Sequence, residues 1–238
     1  EILMDYLLPH IGEDNFQDLL DQITTKTSIQ RVRFTSPHPK DFPIDLLHLI
    51  KERPAICKQI HVPLQAGNNR VLKKMNRTYT QEAFLDLIGN MRRIIPDVAL
   101  STDIILGFPT ETYEEFLDTK KVCEAVEFDS AFIFKYSERP NTRAAQKYPD
   151  DVTEAEKTKR ITQLVAMQKE HTLKQNTRWV GKKQQILIER IKDETLEVIG
   201  RNDANVLTHV KVDTPQNFGV GDTIEGTIVK ATPHGIKA

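Results

Sequence analysis

Residues 101–116 read STDIILGFPTETYEEF. The apolar run Ile104-Ile105-Leu106 stops at Gly107-Phe108-Pro109, and a charged helix start follows at once. Thr112 is the expected N-cap, with Glu115 three residues on as its capping-box partner. A run this apolar predicts a buried parallel strand, and the turn after it predicts a direct hand-over to a helix. The carboxyl end of such a strand is where α/β proteins gather ligands, because backbone N–H groups of turn and helix converge there. Pro109 removes one donor and fixes its φ, while Gly107 tolerates close backbone approach.

The same alternation extends to both sides. Strands are expected at 31–35, 59–64, 98–106 and 129–136, with amphipathic helices between them. Ile44, Leu47 and Ile50 share one helical face; Val71, Leu72 and Met75 share another. Thr80 should cap a longer helix that buries Phe84, Leu87, Ile88 and Met91. Phe16, Leu19, Leu20 and Ile23 support a helix ahead of the first strand, and residues 1–4 suit the end of an earlier one. Four strands with intervening helices imply a parallel sheet or partial barrel with right-handed crossovers. A long helix is expected after Thr153, which has Glu156 as capping-box partner and Ile161, Leu164 and Val165 on its apolar side. Beyond Trp179 the texture changes to short β-type runs at 185–189, 196–199, 206–212 and 223–229, as in a small antiparallel barrel. The expected division is therefore 1–150, 151–177 as a connecting helix, and 178–238.

Composition narrows the classes. The 238 residues suffice for one large or two ordinary domains. The 33 basic and 34 acidic residues nearly cancel, so bulk charge does not announce a nucleic-acid binder. No segment approaches the ~18 consecutive apolar residues of a membrane span. Cys57 and Cys123 stand far apart, which argues against a disulfide framework or cysteine-rich metal site and for a reduced, cytoplasmic setting. Phosphate-loop, nucleophile-elbow, HExxH and EF-hand motifs are absent, so hydrolase and nucleotidase readings lack a positive motif.

The chemistry sits in four loops that follow the four strands. They are Thr35-Ser36-Pro37-His38-Pro39, His61-Val62-Pro63-Leu64-Gln65-Ala66-Gly67, the Gly107 turn with Glu111, and Tyr136-Ser137-Glu138-Arg139-Pro140. Asp103 lies inside an apolar strand, where a carboxylate must be paired or face a polar cavity. Loops at corresponding ends of parallel strands can converge on one ligand.

Together with Leu72-Lys73-Lys74-Met75-Asn76-Arg77, these segments resemble the radical S-adenosylmethionine methylthiotransferases, in order and separation, over about residues 31–238. The likeness is closest to the MiaB branch, which makes 2-methylthio derivatives of isopentenyl-adenosine beside the tRNA anticodon. It discriminates less well against enzymes acting on threonylcarbamoyl-adenosine; a ribosomal-protein modifier, or an RNA-binding module without catalysis, are the other readings. The resemblance implies an incomplete parallel (β/α) barrel followed by a TRAM barrel that binds RNA. It implies S-adenosylmethionine across the strand ends, with Gln65, Gly107, Phe108, Pro109 and Glu111 at its ribose or methionine part and the backbone near Tyr136 at its adenine. His38, Asp103 and Arg139 would meet the target nucleoside or position the cofactor. In the intact enzyme a 4Fe–4S cluster cleaves S-adenosylmethionine to a radical, and a second S-adenosylmethionine supplies the methyl group.

Two departures accompany the likeness. The three-cysteine cluster motif and the N-terminal domain carrying a second cluster have no counterpart in this sequence. The chain is thus expected to be a C-terminal portion, inactive alone and partnered by its missing cluster-bearing domains, with Cys57 and Cys123 as buried small hydrophobes. Thr110 replaces a glycine frequent in the family and is expected to keep its hydroxyl and N–H available to a ligand. In the tail, residues 179–238 hold eight Lys/Arg and eight Asp/Glu. Only a local patch of Lys182, Lys183, Arg190, Lys192 and Arg201 could touch RNA phosphates.

Overall fold

The computed structural model describes residues 16–35 and 39–238. His38 and the strand end expected at 1–4 lie outside the described residues. Helices α1 (Phe16–Lys26) and α2 (Ile44–Glu52) precede β1 (Gln59–His61). Helices α3 (Asn69–Lys74) and α4 (Gln81–Ile94) lead to β2 (Ala99–Leu106), and α5 (Tyr113–Val126) leads to β3 (Ser130–Lys135). The strands are parallel in the order β1-β2-β3, with Ser101 beside both His61 and Ser130.

Local sequence explains the boundaries. Thr80 accepts from the Ala83 N–H, and Thr112 forms the full capping box with Glu115. Thr153 caps its helix through the Glu156 N–H, but the Glu156 carboxylate turns to Arg160 at 3.0 Å instead of back to the cap. β1 ends three residues earlier than expected because Pro63 has no N–H to donate. Pairing resumes at Gln65, whose N–H donates to the Asp103 carbonyl and whose carbonyl accepts from Ile105. The strand expected at 31–35 is reduced to one parallel bridge, Val32 to Ile56. Its flanking Arg31 and Arg33 reach away from the sheet to carbonyls of Arg201, Asn202 and Asp203.

The sheet has two unlike faces. Ile60, Leu100, Thr102, Ile104 and Leu106 are buried, within a core that also takes in Leu47, Ile50, Phe84, Met91, Phe116 and Phe128 from the helices and loops. Ile44, placed on the buried side of α2 by its spacing, is instead exposed, and Leu46 and Leu49 join Leu47 and Ile50 in the core. The opposite face carries Gln59, His61, Ser101, Asp103, Phe132 and Phe134 at alternate positions.

After the short α6 (Arg143–Lys147), α7 (Glu154–Thr177) runs 24 residues, about 36 Å. Its first turns lie under the Gly107 turn, and its end reaches a second sheet, where the Asn176 amide donates to the Thr232 carbonyl. That sheet contains β4 (Lys183–Lys192), β5 (Glu197–Arg201), β6 (Leu207–Lys211), β7 (Thr223–Thr227), β8 (Lys230–Thr232) and β9 (Gly235–Lys237). The order is β7-β4-β5-β6-β9-β8. All pairings are antiparallel except β6 with β9, a departure from the expected wholly antiparallel barrel. The edge strands β7 and β8 are separated by only Ile228 and Val229, so one bent segment carries both edges and curls the sheet into a half-barrel. Ile186, Ile188, Val198 and Val210 form its small core.

Candidate functional site at the carboxyl edge of the parallel sheet

The turn after β2 is held from beneath. Gly107 has φ +71°, and a Cβ there would lie 2.4 Å from the Lys157 side chain. The Glu111 carboxylate folds inward, accepting from the Gly107 N–H at 2.6 Å and from Arg160 of α7 at 2.8 Å. Burial raises the Glu111 carboxyl above its usual range, opposed by the Gly107 and Arg160 donors, and its second oxygen has no partner. Glu111 therefore shapes the turn, its carboxylate buried between the Gly107 N–H and Arg160. Thr110 is left-handed at φ +70°, a conformation that favours glycine. Its N–H donates to Asp151 and is thus spent within the chain, and its hydroxyl accepts from Lys74 and Arg70, which leaves only the O–H to donate.

Phe108 and Tyr136 meet edge to face at 5.2 Å, closing the carboxyl ends of β2 and β3. The Tyr136 N–H donates to the Leu106 carbonyl, while its shielded hydroxyl has no partner. Lys157 sits 5.5 Å from the Tyr136 ring and pairs with Asp150 and Glu154, which hold its ammonium charged against the opposing effect of burial. On the β1 side, Gln65 is buried at φ +63° with its backbone spent in the sheet. Gly67 is required by close packing, since a Cβ would lie 2.4 Å from the Thr119 backbone of α5.

The open face holds a continuous polar chain. Arg33 donates to the Gln59 carbonyl oxygen at 2.8 Å, and the Gln59 amide donates to Ser101 Oγ at 2.9 Å. His61 lies between, with Nδ1 3.0 Å from Ser101 Oγ and Nε2 3.2 Å from Asp103 Oδ2. His61 is 16% exposed and Asp103 33% exposed, so the chain runs from a closed end to an open carboxylate. Phe132 lies edge-on to His61 at 6.2 Å, and Phe132 and Phe134 remain 58% and 52% exposed. Such a face combines an oriented imidazole–carboxylate pair with ring surface for a planar heterocycle. Asp103 is thus paired within this chain.

The other expected contacts are scattered. Arg139 is exposed beyond β3. Lys183 pairs with Glu225 at 2.8 Å, Arg201 with Glu189 at 3.4 Å, and Lys182 stacks over Trp179. Sequence reading gave no side-chain role to Gln59, His61, Ser101, Phe132 or Phe134, although His61 stood in one of the four loops and the backbone near Phe134–Tyr136 was expected at the adenine. Their signal was polar and aromatic residues at period two within short strands, legible only once the register is known. Burial pushes the Cys57 thiol up to about 11 and the Cys123 thiol to about 12, and they occupy separate segments. Among the described residues no group of three His, Cys, Asp or Glu side chains could hold a metal ion, and no helix is long and apolar enough to cross a membrane.

Comparison with known proteins places this geometry. Residues 6–123 match the radical SAM superfamily. The chain is 42% identical over 226 residues to the mitochondrial tRNA methylthiotransferase CDK5RAP1 of Rattus norvegicus, covering 94% of this chain and 38% of that protein. It is 40% identical over 222 residues to the tRNA-2-methylthio-N(6)-dimethylallyladenosine synthase of Desulfotalea psychrophila, covering 93% and 48%. The solved coproporphyrinogen III oxidase (HemN) of Escherichia coli is 22% identical, with a TM-score of 0.48 over 56% of this chain and 31% of that one. The chain spans less than half the length of these curated relatives. By these sequence matches the chain belongs to the radical SAM methylthiotransferases of the MiaB branch.

Proposed function

We propose that this chain is the substrate-facing portion of a tRNA methylthiotransferase that adds a methylthio group to the adenine ring of isopentenyl-adenosine next to the anticodon. The observation that carries the reading is the open face of the parallel sheet. There the Arg33–Gln59–Ser101–His61–Asp103 chain ends in an accessible carboxylate between exposed rings. An adenine can lie against Phe132 or Phe134 while its exocyclic N–H donates to the Asp103 carboxylate. His61 fixes the direction of that carboxylate. Radical chemistry asks little acid–base work of the protein; orientation and exclusion of water are its contribution.

The residues present fit S-adenosylmethionine, which supplies the radical precursor and the methyl group when bound. The unpartnered Tyr136 hydroxyl and the Gln65 carboxamide stand at the same sheet edge as the Gly107–Phe108–Pro109 backbone, and these would hold it. They do not fit a 4Fe–4S cluster, because the two thiols are buried, protonated and apart. The cluster ligands would then belong to other domains of a longer parent. In the same reading residues 1–150 form the catalytic barrel portion, 151–177 the connecting helix, and 178–238 a TRAM-type barrel that contacts RNA, with Arg139 near the nucleoside.

Mass spectrometry of tRNA nucleosides tests the reading in cells whose parent gene carries Asp103→Ala or His61→Ala. Loss of the 2-methylthio nucleoside with accumulation of isopentenyl-adenosine is expected; an unchanged nucleoside profile in both strains would refute it.

A further inference from the structure

A second polar feature lies behind the Gly107 turn and is separate from the open face. Helices α3 and α6 enclose a cavity of about 370 Å³ whose lining includes Arg70, Lys73, Lys74, Arg143, Lys147 and Tyr148, with no acidic residue. Arg70 is engaged by Glu115 and by the Thr110 carbonyl. Lys74 donates to the Thr110 hydroxyl and lies 4.8 Å over the Tyr148 ring. Lys73, Arg143 and Lys147 are exposed and take part in no ion pair among the described residues.

Five cations around one concavity repel each other, and in a chain of 33 basic and 34 acidic residues such clustering is a local exception. The concavity focuses their field, which favours an anion with several charges over a single carboxylate. Its position supplies the rest. Thr110 belongs to the loop that follows Gly107, and Tyr148 meets Phe108 edge-on at 6.3 Å, so the cavity borders the turn that closes the candidate site. A nucleic-acid strand presenting one base at the sheet edge would carry its flanking phosphates past these helices.

We infer that this cavity binds consecutive backbone phosphates of an RNA strand, with Lys73, Arg143 and Lys147 as the contacting cations and Arg70 and Lys74 holding the turn. The inference rests on the reading of the chain as part of an RNA-modifying enzyme. Arg143 offers a planar fork for phosphate oxygens, while the two lysines act as point charges.

The test titrates the 238-residue chain with two labelled RNA hairpins of equal length across salt concentrations. One is an anticodon stem-loop carrying isopentenyl-adenosine; the other is unrelated in sequence. The wild type is compared with the triple variant Lys73→Gln, Arg143→Gln, Lys147→Gln, whose unfolding midpoint should match it because all three side chains are exposed. Each lost phosphate contact removes about 0.7 from the slope of log K against log salt, so the variant slope should be shallower by about 2 on both hairpins. Its affinity should fall at least about tenfold at low salt. Equal slopes for variant and wild type overturn the inference, even where the wild type prefers the anticodon hairpin and the tRNA reading survives. Equal binding of both hairpins by the wild type, with the slope lost in the variant, supports the cavity and counts against the tRNA reading. Absence of RNA binding by the wild type also overturns it.

Discussion

The two sheets dispose of their polar side chains in opposite ways. On the curled second sheet several charges are spent on neighbours, Lys183 on Glu225, Arg201 on Glu189, and both His209 and Lys211 on Glu197, while Arg190, Lys192, Lys230 and Lys237 enter no ion pair among the described residues. On the parallel sheet the polar residues are wired in line and end at a partly open carboxylate. Behind its carboxyl edge, three exposed cations have no ion-pair partner among the described residues. A surface of exposed, self-paired charges is a stable boundary with water. A surface whose linked polar groups end in a partly exposed carboxylate keeps hydrogen-bonding capacity at its open end. The difference lies in how the charges are partnered and is invisible in composition.

The comparison breaks hardest at the support of the Gly107 turn. Arg160→Leu leaves the Glu111 carboxylate buried without its cation and should cost about 3–5 kcal/mol in urea unfolding. The double variant with Glu111→Leu should recover much of that loss. Gly107→Ala combines a left-handed φ with a Cβ pressed on Lys157, for an expected loss of about 2 kcal/mol, measured by the same unfolding curves. A smaller effect is tied to pH. The side-chain bond from Arg70 holds the Glu115 carboxyl below its usual 4.5. The stability it contributes is therefore present above pH 4.5 and is lost as pH falls through the lower folded value. In Glu115→Gln that part of the pH dependence should disappear, at a cost of about 1 kcal/mol at neutral pH, since the pair is partly solvated. The smallest effect belongs to the second sheet: Lys183→Gln should leave the thermal midpoint where it is, because both partners are exposed.

Element types were largely readable from local patterns. The capping box at Thr112–Glu115, the cap at Thr80 and the buried face of α4 all follow from residues close in sequence. The weak points were non-local. The expected strand at 31–35 shrinks to a single bridge, and its two arginines reach carbonyls of residues 201–203, about 170 positions away, which no local pattern shows. Ile44 obeys helical spacing and is still exposed, because which stripe is covered depends on what packs there. Lys157 and Arg160 look like ordinary charges on a polar helix, yet both are buried and hold the turn in place. Glu111, by position in the loop a ligand contact, is drawn inward by them.

By itself the sequence determined the alternation of strand and helix, the turn at Gly107, the change of texture after Trp179 and the family. These rest on periodicity, capping and motif order, which act over a few residues at a time. Only the tertiary structure decided which side of the parallel sheet is open, that Gln59, Ser101, His61 and Asp103 form one chain, and that cations of α3 and α6 surround one cavity. Register and helix docking set those facts. A one-residue slip would turn every side chain of a strand to the other face, and long-range packing is what forbids it.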